Sequence, residues 1–233
     1  MRALVVEDET SLAGLIGSYL ERDGFEVSVS HDGLRAVSLA REVDPDVIVL
    51  DLGLPGLDGI EVCRQIRTFS DAYVVMLTAR SEEIDTLIGL SVGADDYLTK
   101  PFSPRELMAR VQTMLRRPRP SQEPSIAHDS PLQIRSFGSL SIDTTGRDVW
   151  LDGDPVALTR TEFDLLAALS AQPRMAFSRR QLIAVVWGPS WVGDEHLVDV
   201  HIGHLRRKLA DDPARSLYVR TVRGVGYRMG TGQ

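Results

Sequence analysis

The sequence lacks two features that define whole classes of protein, namely paired cysteines and long apolar runs. Cys63 is the single cysteine among 233 residues, so no disulfide can form within the chain, which is typical of a reducing compartment. No uninterrupted apolar stretch approaches the roughly 20 residues that cross a bilayer. The short apolar run 3–6 meets acidic residues at once, unlike the apolar region of a signal peptide. The sequence therefore predicts a cytoplasmic protein with no membrane partner.

Excess negative charge is confined to the first half of the chain. Residues 1–117 contain 12 Lys or Arg and 20 Asp or Glu, a net of −8, whereas residues 118–233 have a net of +1. Within 178–228, nine basic residues stand against five acidic ones. An acidic half joined to a basic C-terminal stretch permits nucleic-acid binding there, although many basic faces are only solvated.

The pattern of residues 1–117 predicts an α/β domain. Five short apolar runs alternate with helical patterns, which is typical of a doubly wound, five-stranded parallel sheet with helices on both faces. The predicted strands are 3–6, 25–29, 47–50, 74–77 and 96–98, and the predicted helices are 10–23, 33–43, 58–69, 84–92 and 104–116. Residues 118–131 contain four prolines and indicate a stiff, solvated linker.

Residues 132–233 follow a different pattern, in which short β segments precede three helices and a final hairpin. The β segments are 132–136, 139–143 and 149–151, the helices are 159–171, 178–187 and 195–209, and the hairpin strands are 218–222 and 227–229. Thr159 and Glu162 suit a capping box at the start of the first helix. In the third helix, Leu197, Val200 and Leu205 fall on one predicted apolar side. Three helices and a basic hairpin predict an α+β winged helix-turn-helix domain.

Acidic side chains end two strands that are predicted to be neighbours. Glu7 and Asp8 follow the first strand, and Asp51 follows the third. In a parallel sheet of order 2-1-3-4-5, ligands gather at the carboxyl ends of the strands, so these carboxylates converge. Such a cluster repels itself unless a hard divalent cation sits among it, and oxygen ligands suit Mg²⁺. Thr78 and Lys100 end the next two strands and add a hydroxyl and an ammonium group that could receive a phosphoryl group.

Four stretches of residues 1–117 resemble the receiver domain of two-component response regulators. They are 5–9, 49–56, 76–80 and 93–102. The resemblance implies a flavodoxin-like receiver in which Asp51 accepts a phosphoryl group from a sensor histidine kinase, while Thr78 and Lys100 bind the phosphoryl oxygens. It implies that Mg²⁺ is held by Asp8, Asp51, the backbone carbonyl of Gly53 and, through water, Glu7.

The same resemblance assigns the conformational switch to Thr78 and Tyr97. When Thr78 moves towards the phosphate, Tyr97 enters the vacated space and reshapes the neighbouring surface. A cis peptide bond between Lys100 and Pro101 is also implied. Gly53 departs from the larger residue that the family often has two positions after the acceptor. We hypothesise that this glycine leaves room for hydrolytic water and shortens the lifetime of the phosphoryl group.

Residues 132–229 resemble the effector domain of the OmpR/PhoB subfamily of response regulators. The resemblance rests on 158–166, 198–202, 205–209 and 221–227. It implies binding to double-stranded DNA, with the third helix in the major groove and the hairpin as a wing. The candidate DNA contacts are His196, His201, His204, Arg206 and Arg207 on the helix and Thr221 and Arg223 on the wing. The family often has arginine at positions 196, 203 and 204, so its base-reading pattern does not carry over.

The resemblance also implies a homodimer when the protein is phosphorylated. Receivers of the subfamily pair through the face that corresponds to helix 84–92, strand 96–98 and helix 104–116, and the dimer binds tandem DNA half-sites. The matching interface residues are Asp95, Asp96, Glu106, Arg110 and Arg117. Thr86 replaces the Lys or Arg that pairs with Glu106 in many relatives, so one interface salt bridge, worth about 0–1 kcal/mol if exposed, is expected to be missing.

The loop 188–194 corresponds to a segment in which relatives contact RNA polymerase. Trp191 in this loop is either a core anchor or an exposed contact for the polymerase, and the sequence does not decide between the two.

Two other functions compete with this interpretation. An aspartyl-phosphate hydrolase would also use an aspartate nucleophile and Mg²⁺, but it needs a second carboxylate two residues after the nucleophile, where this chain has Gly53. A DNA-binding regulator gated by protein contacts alone stays open, although the intact set of Asp8, Asp51, Thr78 and Lys100 disfavours it. As a response regulator, the chain is expected to catalyse only its own phosphoryl uptake and loss.

Overall fold

The computed structural model describes residues 1–79, 92–115, 134–189 and 191–233. It divides into two compact units, Met1–Leu115 and Arg116–Gln233. Four sequence predictions lie wholly or mostly outside the described residues: the helix 84–92, Thr86, Arg117 and the linker 118–131. Within the described ranges, every helix is too short or too polar to cross a membrane.

A parallel sheet with surrounding helices forms the first unit. The strands are β1 Arg2–Val6, β2 Glu26–Ser30, β3 Val47–Asp51, β4 Tyr73–Ala79 and β5 Asp96–Lys100. The described helices are α1 Thr10–Arg22, α2 Gly33–Val43, α3 Gly59–Ile66 and α4 Pro104–Leu115. The strands are ordered β2-β1-β3-β4-β5, and every neighbouring pair is parallel. The predicted fold class and strand order are therefore confirmed.

The central strand β3 explains why acidic side chains meet at one edge of the sheet. All five of its residues are buried, as its continuous apolar run predicts for a strand covered on both faces. Val6 at the end of β1 pairs with Leu50 of β3. Because the two strands are parallel, Glu7 and Asp51 follow at the same level of the same edge.

Helix α3 begins against the end of β3. Asp58 caps the helix by accepting a hydrogen bond from the Glu61 amide at 2.8 Å. A Cβ at Gly59 would collide with the carbonyl oxygen of Asp51, so glycine is required for this close approach. The loop that contains Gly53 is thereby held at the carboxyl edge of the sheet.

In the described part of the second unit, a four-stranded antiparallel sheet is followed by helices and a small sheet. The first sheet consists of β6 Ile134–Phe137, β7 Leu140–Asp143, β8 Asp148–Leu151 and β9 Asp154–Pro155. The helices are α5 Arg160–Ala171, α6 Arg179–Val186 and α7 His196–Lys208. The last sheet has the order β10-β12-β11 and consists of β10 Phe177–Ser178, β11 Val219–Val222 and β12 Gly226–Met229. Helices α6 and α7 with the β11–β12 hairpin form the predicted winged helix-turn-helix.

Local sequence signals account for the start of α5 and for most of the buried face of α7. The Thr159 hydroxyl accepts from the Glu162 amide at 3.3 Å, and the Glu162 carboxylate accepts from the Thr159 amide at 2.7 Å, which confirms the capping box. Leu197 and Leu205 are buried as predicted. Val200 is only partly buried. The buried side of α7, which includes Ile202, is rotated around the helix axis by about one residue from the predicted apolar side.

Candidate functional site

Three carboxylates converge at the carboxyl edge of the parallel sheet. Oxygens of Glu7, Asp8 and Asp51 all lie within 4.8 Å of one another. Glu7 and Asp51 are buried, with 1% and 7% exposure, whereas Asp8 is exposed. Burial is the main reason why the pKa of Glu7 is raised above its ordinary value, and the nearby Asp51 carboxylate adds to the increase. This donor set and its spacing suit a small, hard cation such as Mg²⁺.

Lys100 bridges two of these carboxylates. Its Nζ lies 2.8 Å from Glu7 Oε2 and 3.1 Å from Asp51 Oδ2. Burial alone would lower the pKa of Lys100, but the contacts with Glu7 and Asp51 outweigh burial and raise it, so the ammonium stays charged. The peptide bond between Lys100 and Pro101 is cis, which confirms the prediction. The structure therefore places a cation directly beside the predicted phosphoryl acceptor.

Thr78 and Tyr97 lie on the two strands that follow β3 in the sheet. Asp51 pairs in register with Leu77, so Thr78 is one position further along the edge of the sheet. Thr78 is buried at 2% exposure, and Tyr97 on β5 is partly buried beside Met76 of β4. The backbone thus brings together all the residues that the sequence predicts for the phosphoryl site. A partly buried tyrosine suits the predicted switch.

Three of the residues predicted to form a dimer interface make contacts within a single chain. Asp96 accepts hydrogen bonds from Arg110 Nη1 at 3.0 Å and from the Tyr73 hydroxyl at 3.1 Å. Arg110 Nη2 also lies 2.9 Å from Glu106, whose side chain is 43% exposed. Asp96 and Arg110 are both buried and paired with each other, so removing either one would leave an uncompensated buried charge in the first unit. Their role in pairing two chains stays a prediction.

Arg67 fixes the beginning of β5, a role that sequence patterns did not indicate. Asp95, another predicted interface residue, accepts a hydrogen bond from the Val74 amide at 2.9 Å and forms a buried ion pair with Arg67. Arg67 also donates to the carbonyl of Gly93 at 2.7 Å. Because Asp95 and Arg67 are 28 residues apart, no local spacing pattern could reveal the pair.

The exposed face of α7 differs from the predicted set of DNA contacts. Its solvent-facing positions include His196, Gly203 and Arg207, with Val200 and Arg206 partly exposed. A Cβ at Gly203 would meet no other atom within 4 Å, so the middle of this face is open. This surface remains the natural candidate for entering a major groove.

His201 and His204 are corrections to the predicted DNA contacts, because the structure buries both. His201 is 1% exposed, and its ring centroid lies 5.5 Å from that of Trp187. His204 is 7% exposed and lies near Glu162. Burial and the neighbouring His201 lower the pKa of His204 to about 4, so it is uncharged near neutral pH. The two histidines share the helical spacing of Leu197 and Leu205, a signal that could have revealed their burial.

The wing carries the remaining predicted contacts. Arg223 is exposed at the hairpin turn, where Gly224 has φ of 75°. Thr221 is exposed as well, but its hydroxyl accepts a hydrogen bond from Arg206 Nη2 at 2.8 Å. Arg206 therefore contacts the wing of its own chain, which the sequence did not indicate.

Trp191 combines features of both roles considered for it. The side chain is partly buried, and its ring centroid lies 6.3 Å from that of the buried Trp187. The adjacent Val192 is 76% exposed. The packing on Trp187 favours an anchor, and Val192 offers the more accessible surface of the loop.

Comparisons with known proteins match two separate parts of the chain to two families. Residues 3–112 match the response regulator receiver domain, and residues 153–229 match the C-terminal domain of transcriptional regulatory proteins. The DNA-binding response regulator MtrA of Mycolicibacterium smegmatis is 44% identical over 98% of this chain and 96% of its own. Among solved structures, a cysteine-to-serine mutant of RitR is 30% identical with a TM-score of 0.76, and each chain is 99% covered.

A further solved relative names the subfamily. The response regulator DrrB, a Thermotoga maritima OmpR/PhoB homologue, is 32% identical over 98% of both chains, with a TM-score of 0.50. Proteins of this kind combine a receiver, which generally binds Mg²⁺ and has a histidine kinase as its partner, with a domain that binds DNA. The chain belongs to the OmpR/PhoB-type response regulators, which regulate transcription in a phosphorylation-dependent manner.

Proposed function

We propose that Asp51 is the phosphoryl acceptor of this response regulator. The observation that carries the proposal is the position of Lys100 Nζ, 3.1 Å from Asp51 Oδ2, at the edge where Glu7 and Asp8 also converge. An Asp51 carboxylate oxygen attacks phosphorus while the bond from phosphorus to the imidazole nitrogen of the kinase's phosphohistidine breaks. The electron pair of that bond remains on the nitrogen. The chain thereby catalyses only its own phosphoryl uptake, and later its loss to water.

The residues around Asp51 stabilise the transferred group. Mg²⁺, held by Glu7 through water, Asp8, Asp51 and the Gly53 carbonyl, would supply positive charge next to the phosphoryl oxygens. Lys100 replaces one of its carboxylate contacts by a contact with a phosphoryl oxygen. The Thr78 hydroxyl donates a hydrogen bond to a second phosphoryl oxygen. As Thr78 moves, Tyr97 turns inward and the surface around β5 changes.

The changed surface favours a homodimer that binds tandem DNA half-sites. Asp95, Asp96, Glu106, Arg110 and Arg117 are the proposed interface residues. Each copy places α7 in a major groove of the DNA. Arg207 and Arg206 on α7 and Arg223 on the wing then lie near the phosphate backbone of the DNA. The loop 188–194 would contact RNA polymerase. We assign residues 1–117 to the receiver, 118–131 to the linker and 132–233 to the DNA-binding domain of a cytoplasmic protein.

The proposal is tested by treating the full chain with a small phosphodonor in Mg²⁺. Intact mass, sedimentation and affinity for a DNA duplex selected from a random pool are measured on the same sample. We expect the gain of one phosphoryl group, dimerisation and tighter DNA binding, all absent when EDTA replaces Mg²⁺. Absence of uptake would favour the phosphate-independent regulator. Uptake without dimerisation would instead indicate that phosphorylation relieves a contact within one chain.

Gly53→Met is expected to prolong the life of the phosphorylated state. A Cβ at Gly53 would lie 3.6 Å from Asp51 Oδ2, so a long side chain there obstructs water on its way to the phosphoryl group. We expect loss of phosphate to slow about tenfold, equivalent to about 1.4 kcal/mol in barrier height. Intact mass is followed over time after the phosphodonor is removed. Pro55→Ala, an exposed change in the same loop, is the control and should match wild type. Equal rates for Gly53→Met and wild type would reject the idea.

A further inference from the structure

The N-terminal part of helix α7 is hydrogen-bonded to the wing, the β11–β12 hairpin. Asp199 Oδ1 accepts a hydrogen bond of 2.6 Å from the Tyr227 hydroxyl on β12. The same oxygen accepts a hydrogen bond of 2.8 Å from Arg179 Nε at the start of α6. The Arg179 guanidinium also lies 5.4 Å from the centroid of the Tyr227 ring. One carboxylate therefore joins both helices of the helix-turn-helix to the hairpin.

A second connection lies two turns further along α7. Arg206 Nε and Nη2 donate to the carbonyl of Val219 at 3.2 and 2.8 Å, and Nη2 also donates to the Thr221 hydroxyl at 2.8 Å. Both partners belong to β11. The Arg206 guanidinium lies 5.6 Å from the Tyr227 ring centroid, so the tyrosine has an arginine from each helix beside it. The planar, forked guanidinium suits this bidentate contact, which a lysine ammonium cannot reproduce.

The charge of Asp199 is difficult to explain by DNA contact. Asp199 is only partly buried and lies beside the exposed face of α7, where a carboxylate would repel DNA phosphates. Arg179 balances that charge, and Tyr227 uses the same oxygen. The arrangement is therefore better suited to holding protein elements together than to reading DNA.

We infer that Asp199 and Arg206 are positioning residues, which set the place of the wing relative to α7 so that Arg223 reaches a DNA phosphate. This inference rests on the proposed DNA binding and changes the role assigned to Arg206. Arg207 is exposed and makes no side-chain hydrogen bond to any residue that the structure describes, so it remains available for direct contact. Adjacent arginines of the same charge thus have different tasks.

Wing positioning and direct phosphate contact are distinguished by measuring how strongly the DNA affinity of each variant depends on Arg223. In wild type, Arg223→Ala should weaken DNA binding and reduce the slope of log affinity against log salt by about one unit. In Arg206→Lys, which keeps the charge but loses the forked contact, the cost of Arg223→Ala should be at least about threefold smaller. Tyr227→Phe removes only the hydroxyl that binds Asp199 and should behave in the same way. Arg207→Lys is the matched comparison and should leave the cost of Arg223→Ala unchanged.

The full phosphorylated chain and a duplex selected from a random pool are used throughout, and urea unfolding of each variant checks that it is folded. An undiminished cost of Arg223→Ala in both Arg206→Lys and Tyr227→Phe would overturn the inference. If Arg206→Lys, which retains the charge, bound DNA as tightly as wild type, the inference would also fail, because Arg206 would then act by contacting DNA phosphates. If wild type bound no selected duplex, the proposed function itself would fail.

Discussion

Asp51→Ala is expected to abolish phosphoryl uptake, and with it the dimerisation and the gain in DNA affinity. The Asp51 carboxylate has two features that suit an acceptor. The Lys100 ammonium lies 3.1 Å away, and Thr78 is on the neighbouring strand. Glu7 also contacts Lys100, at 2.8 Å, but it follows β1, which lies two strands away from the β4 strand of Thr78, and it is almost completely buried. Asp8 is exposed and lies outside the Lys100 contact. Intact mass after treatment with a phosphodonor in Mg²⁺ measures the effect directly.

Two controls make the Asp51 result specific. Asp51→Asn keeps the shape of the side chain and should also fail, because an amide oxygen is a poor nucleophile. Glu61→Ala removes a partly exposed carboxylate of α3, which pairs with Arg64, and should take up one phosphoryl group as wild type does. Uptake by Asp51→Ala at the wild-type rate would place the acceptor on another residue.

Arg110→Met is expected to destabilise the first unit even without phosphorylation. Arg110 and Asp96 form a buried ion pair at 3.0 Å, with side-chain exposures of 7% and 0%. Removing the arginine leaves the Asp96 charge buried, with the Tyr73 hydroxyl and the Tyr97 amide as remaining hydrogen-bond donors. Loss of one partner of a buried pair costs about 3–5 kcal/mol. Urea unfolding followed by far-ultraviolet circular dichroism measures the loss.

The tryptophans allow the two units to be distinguished in that experiment. All three of them, Trp150, Trp187 and Trp191, belong to the second unit, so their fluorescence should show an almost unchanged transition in Arg110→Met. Glu106→Ala is the matched control, because that side chain is 43% exposed and its contact with Arg110 is worth about 0–1 kcal/mol. Arg110→Met combined with Asp96→Asn should regain at least about 1 kcal/mol, since no unpaired buried charge remains.

A loss below about 1 kcal/mol for Arg110→Met would mean that Asp96 is readily hydrated in the single chain. Arg110 would then be available chiefly for pairing with a second chain. The experiment therefore decides whether this interface residue has a structural task of its own.

The sequence alone determined which segments of the first half form strands and which polar residues stand at the ends of those strands. Both depend on local signals. A continuous apolar run such as 47–50 marks a central strand, and the end of that run marks the carboxyl edge of the sheet, where ligands bind. Glu7, Asp51, Thr78 and Lys100 each stand at a strand end, so predicting the strands was enough to bring them together. The capping box of Thr159 and Glu162 was equally local.

Only the tertiary structure decided what the side chains of α7 contact. Helical spacing puts His201 and His204 on the side of Leu197 and Leu205, but it does not show that their neighbours are Trp187 and Glu162. The same holds for Arg206 and Asp199, whose partners on the wing are 13 to 28 residues away. A residue's spacing predicts which side of a helix it occupies, but the neighbouring elements determine whether that side meets the core, the wing or DNA.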